Sequence, residues 1–197
     1  MTLTDPYVDL ATFKARANIT GTQHDTVLTQ VIAEASRQIE RMTGRNFNQT
    51  PAGTARTYTA QGGSVLFVDD LVSVSAIATD DGSRTYPATW AATDYDLLPD
   101  EAPLFGRPYT RIDVAPTGRY GFPTVARGVR VTGVWGWPAV PDDIRGATFL
   151  LALRLWKRQD APFGVTGSVE LGQLRAITGV DPDVRTIVAT YKRVAVF

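Results

Sequence analysis

The chain of 197 residues contains no cysteine. Disulfide bonds, thiolate metal ligands and cysteine nucleophiles are therefore excluded. Histidine occurs once, at His24, and a single imidazole cannot supply the several nitrogen or sulfur ligands of a zinc site. A Ser-His-Asp triad would have to use the same residue, but the sequence has no nucleophile elbow. We interpret His24 as a solvated side chain at the start of a predicted helix.

Long apolar runs and an excess of one charge are missing as well. No apolar run approaches the ~20 residues that cross a bilayer, and the first ten residues lack the basic start and apolar run of a signal peptide. Twenty basic and twenty acidic residues make the chain formally neutral, so no global field attracts DNA or an anionic membrane. Phosphate loops and dinucleotide motifs are absent. We expect no membrane partner, no metal and no cofactor.

Apolar residues make up 44% of the chain, which predicts a packed core. Helical periodicity is clear near both ends of the sequence. We predict a short helix in DLATFKARANI and a longer one from Thr22, which has a capping-box partner in Asp25, to Gly44. A third helix begins at Pro141 and runs to about residue 159, and Asp181 with Pro182 begins a last one.

Residues 51–135 have a different texture, with short β-branched and aromatic runs separated by Gly, Pro and Asp. The predicted strands are ARTYTA, SVLFV, VSVSAIAT, DYDLL, TRIDVA and GVRVTGVW. We interpret Asp69-Asp70 as loop residues and Asp80–Ser83 as a hairpin turn. The predicted fold class is α+β: a small helical bundle formed by residues 1–50 and 136–197, with an antiparallel β-rich insertion at 51–135.

Two functional classes, a carboxylate-based site and a DNA-binding protein, have some support in the sequence. Asp94, Asp96 and Asp100 lie close together, and a carboxylate cluster on one strand face is able to bind calcium or to serve glycoside hydrolysis. Asp beside Pro is also common at turns, which is the interpretation we favour. Basic residues alternate with aromatics in RLWKRQ and TYKRVAVF, as in small DNA-binding proteins. Seventeen of the twenty basic residues are arginine, which suits protein interfaces equally well.

The third predicted helix, DDIRGATFLLALRLWKRQDAPFG, is apolar on nearly every face. Ile144, Leu151 and Leu155 form one cluster, whereas Phe149, Leu153 and Trp156 lie well away from it. Such a helix is buried on several sides. One face is expected to pack on the helix of residues 22–43, and the other is covered either within the chain or by a neighbouring subunit.

These two regions carry a resemblance to a known family. ASRQIERMTGRNF, together with GVWGWPAVPDDIRGATFLLALRLWKRQDAPFG, resembles the head-tail connector, or head-completion adaptor, proteins of long-tailed bacteriophages. The matching positions are Thr43-Gly44-Arg45 with Phe47, Gly136-Trp137, Pro141, Ala147, and Arg158 with Pro162. The resemblance covers residues 5–50 and 130–165, and the last helix loosely. The β-rich segment departs from the smallest family members, which are nearly all helical.

The resemblance implies a structural role without catalysis, in the neck of a virion assembled in the host cytoplasm. It implies a ring, usually of twelve subunits, that binds the portal protein, extends the channel for passing genomic DNA and receives a downstream neck or tail protein. Subunit contacts are then expected at Phe149, Leu153, Arg154, Trp156 and Arg158. Portal docking is expected at the C-terminal end, at Tyr191, Lys192, Arg193, Val194, Val196 and Phe197.

Overall fold

A computed structural model describes residues 5–158 and 181–193. These residues form two compact units. One unit is helical and holds residues 5–45, 140–158 and 181–193, and the other holds residues 46–139 and contains the sheet. The α+β class predicted from the sequence is confirmed, with four helices and six strands in the described part of the chain. None of the helices in that part is long and apolar enough to cross a bilayer.

The helical unit contains α1 (Leu10–Ala17), α2 (Asp25–Thr43), α3 (Asp142–Lys157) and α4 (Pro182–Thr190). Helix α2 packs against each of the other three, and α3 also packs against α4. The core of this unit is apolar, and its most deeply buried side chains are Phe13, Leu28, Ile32, Ile39, Ile144 and Val184.

Helix ends follow the predicted signals in two cases and depart from them in one. Asp181 caps α4 by accepting the Asp183 amide at 2.9 Å, and Gly44 ends α2 in the left-handed conformation, at φ 68°. The predicted Thr22 cap of α2 is wrong, because the helix begins at Asp25 and its N-cap His24 makes no side-chain cap bond. The Asp25 carboxylate instead pairs with Lys14 at 2.5 Å.

The second unit is built on one antiparallel sheet. Its strands are β1 (Thr54–Tyr58), β2 (Val65–Thr79), β3 (Ala88–Thr89), β4 (Tyr95–Leu98), β5 (Tyr109–Val114) and β6 (Val129–Trp135). The order is β1-β6-β2-β5-β4, and β3 pairs with the end of β2. The long strand β2 pairs with β5 over its first half and with β6 over its second half, with register shifts in both pairings.

The prediction that Asp69-Asp70 is a loop is wrong, because both residues lie inside β2. Each carboxylate has a specific partner there. Asp69 accepts hydrogen bonds from Arg56 at 2.7 Å and from the Tyr58 hydroxyl at 3.0 Å, and Asp70 accepts the Trp137 indole N–H at 3.1 Å. The two predicted strands SVLFV and VSVSAIAT are therefore one strand. The two aspartates between them are tolerated there because their carboxylates have hydrogen-bond partners.

Trp135 is the centre of the sheet core. Its side chain is fully buried, and its indole N–H donates to the Thr54 carbonyl oxygen at 2.8 Å. The Arg56 guanidinium stacks over the ring at 4.6 Å, and the Tyr58 ring lies at 5.8 Å. Burial, together with the neighbouring Asp69 carboxylate, holds the pKa of Tyr58 above its ordinary value, so this hydroxyl stays a hydrogen-bond donor.

The chain segments that enter and leave the sheet lie side by side. The Thr50 amide donates to the Trp135 carbonyl oxygen at 2.9 Å, and the Trp135 amide donates to the Thr50 hydroxyl at 3.0 Å. Next to them, Gly136 has φ 108°, and a Cβ at this position would lie 2.0 Å from the Asn48 carbonyl oxygen. Only glycine satisfies both requirements, which explains the glycine of the Gly136-Trp137 pair.

The loop between β2 and β3 covers residues 80–87 and is longer than the predicted hairpin turn. It is organised by Asp80, whose carboxylate accepts the amides of Gly82, Arg84 and Tyr86 at 3.1, 3.1 and 3.2 Å. Burial alone would raise the pKa of Asp80, but these hydrogen bonds hold the pKa below its ordinary value. The ionised carboxylate thus supports a loop in which Arg84 and Tyr86 have positive φ.

We predict that Asp80→Asn lowers the melting temperature at neutral pH, because the amide cannot replace a carboxylate that accepts several N–H groups. A group with a depressed native pKa stabilises the fold above its unfolded pKa, and that stability is lost as the pH falls through the native pKa. The gap between Asp80→Asn and the unmodified protein should therefore shrink below about pH 4. Thermal melts at several pH values measure this, and a gap that stays constant with pH would contradict the assignment.

We further propose that residues 51–135 are an insertion in a helical domain that folds without them. The sheet's entry and exit are bonded at Thr50 and Trp135, so a short Gly/Ser linker spans the gap. Replacement of residues 51–135 by such a linker should leave a protein whose circular dichroism shows α-helix and a cooperative thermal transition. Loss of the helical signal would show that the sheet unit is required for the helical fold.

Candidate assembly surfaces

The turn Thr43–Arg45, the Thr-Gly-Arg turn, holds the C-terminal segment of the helical unit. The Thr43 carbonyl oxygen accepts the Arg193 amide at 2.9 Å, and the Arg45 Nε donates to the Tyr191 carbonyl oxygen at 2.8 Å. The turn itself is ordered by the Thr43 hydroxyl, which donates to the Ile39 carbonyl oxygen and accepts the Arg45 amide. Thr43 and Arg45 therefore both contribute to one anchoring site.

Phe47, the last residue of this motif, belongs to the sheet unit. Its side chain is fully buried, and its ring lies 5.2 Å from that of Trp137. Trp137 in turn donates its indole N–H to Asp70 of β2. Four of the positions that carry the resemblance thus serve two packing sites. Thr43 and Arg45 contact the C-terminal segment, and Phe47 and Trp137 pack where the chain enters and leaves the sheet.

The structure describes three of the six residues predicted to dock on a portal. Tyr191 is half-buried, and its hydroxyl donates to Asp143 of α3 at 3.4 Å. Lys192 and Arg193 are exposed, so their side chains are accessible to a partner. Val194, Val196 and Phe197 lie outside the described residues. The docking role of these residues stays a prediction. The Thr-Gly-Arg turn fixes the direction of residues 191–193 through its hydrogen bonds to their backbone.

Contacts within the helical unit cover much of α3. Phe149 is 7% exposed; its ring packs at 5.3 Å from Phe13, and the Arg16 guanidinium stacks over it at 4.0 Å. Phe149 is therefore nearly buried within its own helical unit, and its role in a subunit contact stays a prediction. Part of the all-round apolar character of α3 is explained by packing against α1 as well as α2 and α4.

The remaining predicted contact residues of α3 lie closer to the surface. Leu153, Arg154 and Trp156 are half-buried, and Arg158 is exposed. The Trp156 ring packs edge-on against His24 at 5.0 Å, so the single histidine is exposed as predicted but is also an aromatic partner of α3. Leu150, which the sequence placed in no cluster, is 37% exposed.

The predicted carboxylate cluster is not a shared strand face. Asp94 lies in a 3-10 turn and is buried, where it accepts the amides of Ala91 at 2.8 Å and Arg119 at 3.3 Å. Asp96 is exposed in β4 opposite Asp113, and Asp100 is exposed in the turn that follows. Within residues 5–158 and 181–193, no three acidic or histidine side chains are grouped so as to hold a metal ion.

The most exposed apolar side chains lie in the connection between β4 and β5, which sequence reasoning missed. Leu104 is 80% and Phe105 65% exposed, in a short 3-10 turn at Pro103–Phe105. Phe67 of β2, 51% exposed, lines an open groove of about 370 Å³ near the base of this connection, together with Leu98, Thr110 and Arg111. The signal in the sequence was Leu104-Phe105 between Pro103 and Gly106, an apolar pair within turn residues.

Part of the chain matches a known protein family. Residues 7–66 match the sequence model of the phage gp6-like head-tail connector protein family, and the predicted resemblance to head-tail connectors is confirmed over this part of the chain. The matched residues include α1, α2 and the Thr-Gly-Arg turn. No curated protein shows a significant match to the chain.

Two solved structures have a similar fold. A chain in the neck of an empty GTA particle, computed with C6 symmetry, superposes with a TM-score of 0.59 at 21% identity. A chain in the virion of a native gene transfer agent particle superposes with a TM-score of 0.54 at 20% identity. Each comparison covers 97% of this chain and 92% of the other chain, so the similarity includes the sheet as well as the helices.

We predict that Arg45→Ala loosens the C-terminal segment, because it removes a charged donor from the Tyr191 carbonyl oxygen. A hydrogen bond that involves a charged group contributes roughly 1.5–3 kcal/mol to the free energy of unfolding. Hydrogen exchange of the Arg193 amide should become faster in this variant. Arg41→Ala, on the exposed side of α2, is the matched control, and equal effects of the two substitutions would argue against the anchor.

Proposed function

We propose that this protein is a non-enzymatic structural component of a virion neck, where copies of it form a ring between the portal and the next neck or tail protein. The observation that carries the proposal is the Thr-Gly-Arg turn. It lies within the residues that match the connector family, and it anchors the C-terminal segment through Arg45 and Thr43. Similar folds in the necks and virions of gene transfer agent particles support the same role.

The division of roles within the chain follows from its surfaces. The C-terminal end, with the exposed side chains of Lys192 and Arg193, is the segment that docks on the portal. Helix α3 carries subunit contacts on its open side. Ring packing is heterologous, so each subunit uses two different surfaces for its two neighbours. We propose twelve subunits, which is the number that the resemblance to head-tail connectors implies.

The charge balance agrees with a channel through which DNA passes. Twenty acidic and twenty basic residues cancel formally, and non-specific DNA affinity arises chiefly from cationic groups that displace counterions from phosphates. A neutral ring lets DNA move without strong binding. No observation favours the calcium-binding or the carbohydrate alternative. The Asp94 carboxylate, on which both depend, already accepts hydrogen bonds from the backbone amides of Ala91 and Arg119.

The proposal is tested by co-expression of the chain with the portal protein of the same genome, followed by purification and electron microscopy. The expected result is a portal that carries an additional ring of uniform subunits below it. Portal that purifies without the chain, at concentrations where the chain is folded, would overturn the proposed function.

We predict that deletion of residues 193–197 leaves a folded protein that no longer binds the portal. The deletion removes the amide that pairs with Thr43 but none of the four helices, so the helical circular dichroism signal should persist. Co-purification with the portal measures the loss. The variant Arg41→Ala, on the exposed side of α2, is a control that leaves the C-terminus intact, and truncated protein that binds the portal normally would leave the tail without a docking role.

A further inference from the structure

Gly146 lies inside α3, yet no contact among residues 5–158 and 181–193 requires a glycine there. A Cβ built on it meets no atom within 4 Å, and its backbone is helical. Glycine in a helix interior is about 1 kcal/mol less favourable than alanine. Glycine is useful where another backbone or a large side chain approaches closely. The open space above Gly146 is therefore a notch with no occupant among the described residues.

The notch is one end of an exposed stripe on α3. Leu150, Leu153, Arg154 and Lys157 follow Gly146 at spacings that place them on the same helix face. Leu150 is 37% exposed, Leu153 is half-buried and Lys157 is exposed. The last turn carries the basic residues Arg154 and Lys157, whereas the acidic residues of α3 are in its first turn. This α3 stripe is small at one end, apolar in the middle and positive at the other end.

The turn Pro103–Phe105 has complementary properties. Leu104 and Phe105 project with 80% and 65% of their surfaces exposed, and the exposed carboxylates Asp100 and Glu101 precede them. The turn is internally ordered, since the Phe105 amide donates to the Glu101 carbonyl oxygen at 3.3 Å and the Arg107 amide to that of Ala102 at 2.8 Å. It thus presents a fixed apolar projection with an acidic flank.

We propose that the Pro103–Phe105 turn of one copy docks on the α3 stripe of a second copy. Phe105 fills the notch at Gly146, Leu104 packs on Leu150, and Asp100 and Glu101 face Arg154 and Lys157. The two surfaces differ, so the contact is heterologous and repeats from copy to copy. This inference rests on the proposed ring and names the side chains that join its neighbours.

The shapes and charges of the two surfaces indicate that a second copy of the chain occupies the α3 stripe. Apolar anchors that enter a pocket provide most of the affinity of an interface, and opposite charges at its rim fix the orientation. The chain carries both halves of such a contact, a projecting pair with carboxylates and a notch with cations.

The absence of cysteine makes the contact testable by cross-linking in the complex of the chain with the portal. The double variant Leu104→Cys, Leu150→Cys, treated with a short bismaleimide, should give a ladder of covalent multimers on denaturing gels. An equal mixture of the two single variants should stop at dimers. A cross-linked monomer from the double variant, or rings that yield no multimers, would overturn the proposed contact.

Substitutions at each half provide a second measurement. Gly146→Gln should raise the melting temperature by about 1–4 °C, because glutamine is a good helix former in open space, yet reduce ring occupancy on the portal at least tenfold. Ala15→Gln on the exposed face of α1 is the matched control. Phe105→Ser should also reduce ring occupancy, whereas Phe67→Ser should not.

The outcomes separate the two proposals. If the unmodified chain forms no ring on the portal, the proposed function fails. If it forms a ring and both Gly146→Gln and Phe105→Ser assemble as well as their controls, the ring stands and the proposed contact is wrong.

Discussion

The sheet unit depends on the close approach of two backbone segments at Asn48 and Gly136. A side chain at Gly136 would collide with the Asn48 carbonyl oxygen, and the neighbouring bonds between Thr50 and Trp135 hold the two segments together. Trp137 follows Gly136 directly, and its indole N–H donates a hydrogen bond to the Asp70 carboxylate inside β2. A polar group in the middle of a strand is stable only with such a partner. Gly136 therefore permits the close approach of the two segments, and Trp137 beside it supplies the hydrogen bond that stabilises Asp70 within β2.

In the helical unit, the Thr-Gly-Arg turn has the corresponding role. It ends α2 and binds the backbone of residues 191–193 through one carbonyl oxygen and one guanidinium group. The contact is made chiefly to main-chain atoms, so the identity of the C-terminal side chains remains free to suit a partner. The C-terminal segment is thus held in a fixed direction by contacts that leave the side chains of Lys192 and Arg193 exposed.

The helices and most strands could be predicted because their signals are local, such as apolar periodicity, Gly44 at a helix end and Asp181 with Pro182 at a helix start. The failures have non-local causes. Asp69 and Asp70 were interpreted as loop residues because their partners Arg56, Tyr58 and Trp137 are distant in the sequence. The Thr22 cap failed because Asp25 pairs with Lys14 of another helix. Leu104 with Phe105 could be recognised as exposed only once the turn had a structure.

The arrangement of the units along the chain has a consequence for synthesis on the ribosome. Residues 46–139 are contiguous, so every strand of the sheet is available soon after Trp135 emerges. The helical unit is discontinuous, and α2 must wait for α3 and α4 before its apolar face is covered. Domains fold as units during translation, and contacts between distant segments form late. The C-terminal segment meets Thr43 and Arg45 only after α3 and α4 have been made, so the anchoring site at the Thr-Gly-Arg turn is completed late in synthesis.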